Sequence, residues 1–365
     1  MSEEAQTPLA RLIADEIAAQ GPMTLDRFMS LALGHPEYGY YMRGDPLGAA
    51  GDFVTAPEIS QIFGELIGLW LVDRWSAMGQ PAAVNLVELG PGRGTLMADC
   101  LRAMRVAPGL TDAVSVHFVE TSPALRERQA HSVPQACWHD SFDDVPAGPL
   151  LLIANEFFDA LPIRQLQTTD TGWAERAVEL KNNELTLTSV PVAELIPDLH
   201  IEDDSLNPGD IIEICPAAGE IMASVAGRIV DDGGAALIID YGYTEDAPGD
   251  TLQAVRRHRH VNIPDMPGMA DLTAHVNFRA LARAAEEAGA SVAGPVTQGA
   301  FLETLGIRLR LAMLEKRTAG KDRAELRAGV RRLTAPDMMG ALFKAMVVLP
   351  PDVEAVSGFR ESVDG

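Results

Sequence analysis

The chain has 365 residues, 47% of them hydrophobic, with 29 basic and 52 acidic side chains, a net charge of -23 and a pI near 4.6. No apolar run reaches the roughly 18 residues of a membrane span, and so acidic a surface repels phosphate backbones, which argues against nucleic acid as a partner. The cysteines, Cys100, Cys137 and Cys215, form no CxxC pair, so neither a disulfide framework nor a zinc site is indicated, and no metal is expected.

The N-terminal "MSEEAQTPLA" lacks the apolar core of a secretory signal and the Arg-rich character of a transit peptide. Cytoplasm is therefore expected, or the mitochondrial matrix if the source is eukaryotic and a leader is missing. Residues 6–32 carry helical apolar spacing, with Thr24 as a candidate cap for a second helix. Residues 34–57, "GHPEYGYYMRGDPLGAAGDFVTAP", have no period, but their tyrosines and Phe53 argue against disorder. A helix resumes over 58–79.

From residue 83 strands alternate with helices. "AVNLVELG" is a strand and "TLMADCLRAM" its helix; "VSVHFVE" and "SPALRERQAHS" follow in the same way. "ACWHD" is a short third strand. "PLLLIANEFF" and "GAALIIDYGY" are almost continuously apolar, as strands buried on both faces should be. This alternation predicts an α/β fold with a doubly wound, mainly parallel sheet. About 163–232 is an insertion, in which period-two alternation around "NN" at 182–183 reads as antiparallel strands, followed by a strand in "GDIIEIC" and a helix. The tail adds a helix at 277–289, further helices around 300–332 and a strand in "LFKAMVVLP". The short basic run "RRHRH" at 256–260 reads as a solvated strand or loop. The expected organisation is an N-terminal helical cap and lid over 1–80, then a core over 81–365 with insertions at about 163–232 and 299–335.

The chemistry starts at "NLVELGPGRGTL", where Gly90, Gly92 and Gly94 follow a strand. The spacing is G-x-G-x-G. It departs from the G-x-G-x-x-G dinucleotide fingerprint, Pro91 removes an N–H that a pyrophosphate would use, and no Gly-Lys-Ser/Thr follows. A nicotinamide dehydrogenase is thereby disfavoured. Glu88, at the end of the first strand, would repel a diphosphate but attract a cationic amino-acid moiety. Glu120 ends the second strand, 26 residues after Gly94, where a carboxylate can accept from both ribose hydroxyls. Asp140, with Ser141, ends the third and could receive an adenine amino group. Ribose, adenine, an amino-acid cation and no phosphate together describe S-adenosylmethionine. In "ANEFFDALP", Asn155, Glu156 and Asp159 stand at the end of the fourth strand, where paired carboxylates can clamp and orient a guanidinium. Asp159 is equally well read as a helix cap.

With "ELGPGRGTL", "HFVE", "NEFFDALP", "IIDYG" and "DLTAHVNF" together, and with "HPEYGYY", "GDFVTAPEIS" and "LFKAMVV" beyond them, the chain resembles the MidA family over almost its whole length. The resemblance implies a Rossmann-like class I S-adenosylmethionine-dependent methyltransferase. By relation to its mitochondrial members it implies symmetric dimethylation of an arginine on a complex I core subunit. By resemblance Gly90, Gly92 and Gly94 hold the methionine end, Glu120 the ribose and Asp140 the adenine, while Asn155 and Glu156 border the methyl. Asp52, Phe53, Thr55 and Glu58 form a candidate lid, with Thr55 also reaching the cofactor. Tyr41 and His275 are candidates for the substrate cleft, and Asp271 and Thr273 for capping the helix at 277. Two alternatives stay open: methyl transfer to a small molecule or another side chain, and a cofactor-binding assembly chaperone. The oligomeric state is also open, a homodimer included.

Overall fold

A computed structural model describes residues 7–43, 55–192, 206–351, 353 and 356–359. The chain divides into two units, each drawn from three segments.

One unit comprises Val54–Phe158, Glu220–Thr244 and Phe278–Gly365. Its sheet contains β1 (Val84–Leu89), β2 (Val114–Val119), β3 (Cys137–His139), β4 (Leu150–Asn155), β5 (Gly234–Tyr243), β6 (Ser291–Thr297) and β7 (Phe343–Leu349). They lie in the order β3-β2-β1-β4-β5-β7-β6. The first five run parallel, and β7 is antiparallel to both β5 and β6. Every residue of β4 is buried, which explains its unbroken apolar run. Chain order reverses between β1 and β4, and ligands of open parallel sheets bind outside the carboxyl ends of the strands at such a point.

The helix Gln61–Ala77 packs beneath this sheet. Its apolar residues are spread around the helix, burying Phe63, Ile67, Trp70 and Leu71, and it also buries Glu65 and Arg74. A side chain at Gly68 would strike the Cys100 backbone oxygen at 2.7 Å, so glycine there is what lets the helix Thr95–Met104 come so near. Ser60 breaks the expected 58–79 helix in two. It ends the turn Ala56–Ile59 and caps Gln61–Ala77 by accepting from the Ile62 amide at 3.3 Å.

The other unit comprises Met1–Phe53, Asp159–Gly219 and Glu245–Asn277. Helices Pro8–Gln20 and Leu25–Gly34 bury Leu9, Ile13, Phe28 and Met29 in its core. Thr24 occupies the cap position of the second helix, but its side chain makes no capping bond. Strands Arg164–Thr169, Gly172–Lys181, Glu184–Pro191 and Ile211–Ile214 are antiparallel, as the alternation predicts. Asn182 and Asn183 both adopt positive φ (51° and 64°), the primed turn that matches the twist of a two-residue hairpin. The "RRHRH" run is a second such hairpin, with Arg257 and His258 at φ 51° and 60° between Gln253–Arg256 and Arg259–Val261.

Candidate active site

Four of the expected side chains share one face of the sheet at its carboxyl edge. Glu88 pairs with Phe118 on β2 and with Ile153 on β4, and Phe118 pairs with Trp138 on β3. Side chains alternate with period two. Glu120, Asn155 and Asp140 each lie two residues beyond one of those partners, and therefore on the face of Glu88. The ladder continues far enough to support this, since Gly90 N donates to Val119 O and Glu120 N to His139 O, each at 3.0 Å.

Glu88 is 3% exposed, and no hydrogen-bond partner for its Oε2 exists among the described residues. Burial raises its pKa to about 8. Asn155 Oδ1 is likewise buried without a donor. Two buried oxygens on one face thus lack partners among the described residues, a costly state unless a ligand completes them.

The glycine loop follows β1. Gly90, Gly92 and Gly94 take φ of 60°, 54° and 76°. A Cβ at Gly90 would meet the Phe157 ring at 2.9 Å. Gly94 caps the helix Thr95–Met104 with no side-chain bond, so the first-turn N–H groups are not covered by a cap.

Glu120 is held by its neighbours: Oε1 accepts from Ser122 N at 2.8 Å and Oε2 from Gln129 Nε2 at 3.1 Å. Burial raises its pKa, and these bonds oppose the rise. Gln129, fully buried, also donates to Gly92 O at 2.8 Å and accepts from Trp138 Nε1 at 2.8 Å. It ties the glycine loop to Glu120. Asp140 is largely exposed and accepts from Arg126 Nη2 at 2.6 Å; the same guanidinium donates to the Glu120 and His139 carbonyls. The Ser141 hydroxyl caps the short turn Phe142–Asp144.

At the end of β4, Glu156 sits at φ 51° with its amide bonded to Ile239 O at 2.9 Å. Its Oε1 accepts from Ala56 N at 2.9 Å and Asn155 Nδ2 at 3.0 Å. Glu58 accepts from Thr95 Oγ1 at 2.6 Å and lies 3.5 Å from Arg93. Residues 55–58 are thereby fastened to the glycine loop and the β4 exit. Thr55 caps their turn without a side-chain bond. Asp52 and Phe53, the rest of the expected lid, lie outside the described residues.

The remaining candidates belong to the other unit. Tyr41 Oη donates to Asp271 Oδ1 at 2.8 Å, and burial together with the charges of Asp271 and Asp159 pushes its hydroxyl well above the ordinary range. Asp159 is buried in the turn Phe158–Ala160, and its carbonyl accepts from Ala274 N at 3.0 Å. His275 N donates to Thr251 Oγ1 at 2.8 Å. Asp271 and Thr273 lie within the strand Asp271–Thr273 and do not cap the helix Phe278–Glu287, because their backbone pairs with Gln253–Val255. Sequence reasoning missed Gln129, Arg126 and Asp240, whose partners lie on other elements. Among the described residues no cluster of three or more His, Cys, Asp or Glu could hold a metal, and no helix is long and apolar enough to cross a membrane.

Strand order 3-2-1-4-5-7-6 with β7 reversed, an acidic carboxyl edge and a phosphate-averse glycine loop define an S-adenosylmethionine-dependent methyltransferase of Rossmann-like form. Residues 66–296 match a family model described as "Putative S-adenosyl-L-methionine-dependent methyltransferase", and the chain belongs to this MidA-like family. It is similar to the mitochondrial protein arginine methyltransferase NDUFAF7 of Xenopus tropicalis, 40% identical over 92% of this chain and 84% of that one. The human NDUFAF7 is 37% identical over 96% and 85%. A superfamily member from Burkholderia thailandensis, solved with S-adenosyl-homocysteine, superposes with a TM-score of 0.84 at 27% identity, covering 97% of this chain and 94% of that one.

The residues fit the cofactor. Glu88 Oε2 and Asn155 Oδ1 lie on one face that would receive a donor-bearing cation, and Gly90 leaves backbone where a Cβ would strike Phe157.

Proposed function

We propose that this chain methylates arginine side chains of a protein, by symmetric dimethylation, and that a subunit of respiratory complex I is the substrate. Support comes from relatives named protein arginine methyltransferases at 37–40% identity over more than nine-tenths of this chain. The observation that carries the reading is Glu156, a carboxylate at the switch-point end of β4, fixed through one oxygen by Ala56 and Asn155.

In this reading Glu88 receives the ammonium of the cofactor, the glycine loop its methionine end, Glu120 the ribose hydroxyls, and Asp140 with Ser141 the adenine amino group. S-adenosylmethionine supplies an electrophilic methyl on a good leaving group, so the protein contributes orientation and charge. Glu156 holds the guanidinium through charge-assisted hydrogen bonds and steadies the positive charge until a proton leaves the methylated nitrogen. Arginine is fully protonated at neutral pH, so that proton departs with or after the attack. Asn155 borders the methyl. Asp159, Tyr41 and His275 keep their substrate roles in this proposal, and the acidic surface favours an arginine-bearing segment. The compartment follows the substrate: cytoplasm in a bacterium, matrix in a mitochondrion.

Mass spectrometry of arginine peptides from cells with and without the chain tests this. Peptides bearing symmetric dimethylarginine should vanish on deletion and return with the wild type but not with Glu156→Gln. Restoration of complex I by Glu156→Gln without methylation would establish the chaperone alternative instead.

A further inference from the structure

Asp240, in β5, has no exposed surface, although its strand is otherwise apolar. Its Oδ2 accepts from Phe157 N at 3.2 Å and Phe158 N at 3.0 Å, and its Oδ1 from Tyr241 N at 2.9 Å. The preceding residue of the same strand, Ile239, accepts the Glu156 amide. Three successive amides at the exit of β4 are therefore tied to two successive residues of β5. Glu156, at the head of that turn, holds a left-handed conformation that is unfavourable for a non-glycine residue and persists only where its surroundings enforce it. An apolar side chain at 240 would fill the strand but leave the Phe157 and Phe158 donors unmet.

We infer that Asp240 is a positioning residue for methyl transfer, holding the Phe157–Phe158 backbone so that the Glu156 carboxylate keeps its direction. This rests on the reading of Glu156 as the substrate-facing carboxylate. Asparagine at 240 is nearly isosteric but offers one carbonyl oxygen in place of two carboxylate oxygens, and turns N–H groups toward backbone N–H groups. The turn can then relax toward ordinary φ without the strand being lost.

The test uses the full chain and its Asp240→Asn, Glu156→Gln and doubly substituted forms. Tritiated methyl from S-adenosylmethionine is followed into the protein pool of cells lacking the chain. Asp240→Asn should lower the initial rate ~10²-fold, the scale of a misplacement near 1 Å. Its affinity for S-adenosyl-homocysteine by calorimetry should fall by less than ~10-fold, well short of the loss in rate, because the carboxylates assigned to the ammonium and the ribose, Glu88 and Glu120, stand at the ends of other strands. In the Glu156→Gln background the second substitution should change the rate by no more than ~2-fold, the signature of two residues acting as a unit. Amide exchange should quicken at Phe157 and Phe158 by ~10-fold or more while Leu151–Ala154 are unchanged.

Full multiplication of the two losses, or unchanged exchange at Phe157 and Phe158, overturns the proposal. Glu156→Gln retaining wild-type rate sinks the reading of Glu156 and this inference with it. A wild type that labels no protein sinks the protein-methylation reading alone, and amide exchange then decides whether Asp240 holds the turn.

Discussion

Assigning the cofactor ammonium to Glu88 makes cofactor binding a proton-linked event. The carboxyl is 3% exposed, and burial raises its pKa to about 8. At pH 6 about 1% of the ligand-free protein carries the carboxylate, and at pH 7 about 10%. An ammonium seated against Glu88 favours the carboxylate, so binding below pH 8 expels a proton. The Kd for S-adenosyl-homocysteine should fall close to tenfold per unit from pH 6 to 7, then level off near pH 8, ~50–100-fold in all. Calorimetry at pH 7 in two buffers of different ionisation enthalpy should count ~0.9 proton released. Glu88→Gln should lose the pH dependence, bind ~10–100-fold more weakly at pH 8, and approach the wild type near pH 6. Proton-neutral binding with a flat Kd between pH 6 and 8 would falsify the assignment.

The same burial sets the stability of the ligand-free protein. A carboxyl whose pKa rises on folding contributes fully below about pH 4.5 and loses that contribution as pH climbs toward 8. Urea midpoints of the wild type should therefore decline across that window relative to Glu88→Gln. His117 behaves in the opposite sense. Burial, then the charge of His139, holds it below its ordinary value. Its contribution is present above about pH 6.5 and drains away as pH falls, and His117→Gln should flatten that limb of the urea midpoint curve. Gly90→Ala forces a Cβ onto Phe157 at 2.9 Å in a left-handed conformation. Thermal unfolding should report a loss of ~1–3 kcal/mol, and calorimetry weaker cofactor binding. Gln129→Leu removes the link between Gly92 O and Glu120 and should weaken S-adenosyl-homocysteine ~10-fold, the cost of an unmet buried partner. Affinity within twofold of wild type would remove Gln129 from the cofactor site.

The parallel sheet was legible because buried strands read as unbroken apolar runs, and β4 and β5 are such runs. The insertion's hairpin was legible because Asn182 and Asn183 tolerate the positive φ its turn demands. The acids at the strand ends could be placed because strand periodicity and the switch-point rule act locally. Strand β6 was missed: Gly294 and Pro295 interrupt it and read as a break, and its register slips there. The supports of the site were missed for a different reason. Gln129 looks like any polar residue on a helix until Gly92, Glu120 and Trp138 surround it, and Asp240 looks like the polar end of a strand until Phe157 and Phe158 donate to it. Such roles arise from contacts between residues 9 to 83 positions apart, which no local pattern encodes.

The sheet order carries a lesson for biosynthesis. The strand Phe343–Leu349 is translated last of the seven yet lodges between two made before it. Until the ribosome has passed residue 349, Gly234–Tyr243 keeps a bare flank and Ser291–Thr297 has no neighbour to join. Nascent molecules must wait, open-edged and prone to stray pairing, for Phe343–Leu349 to emerge. A stop codon ahead of residue 343 would therefore cost the molecule part of its central sheet.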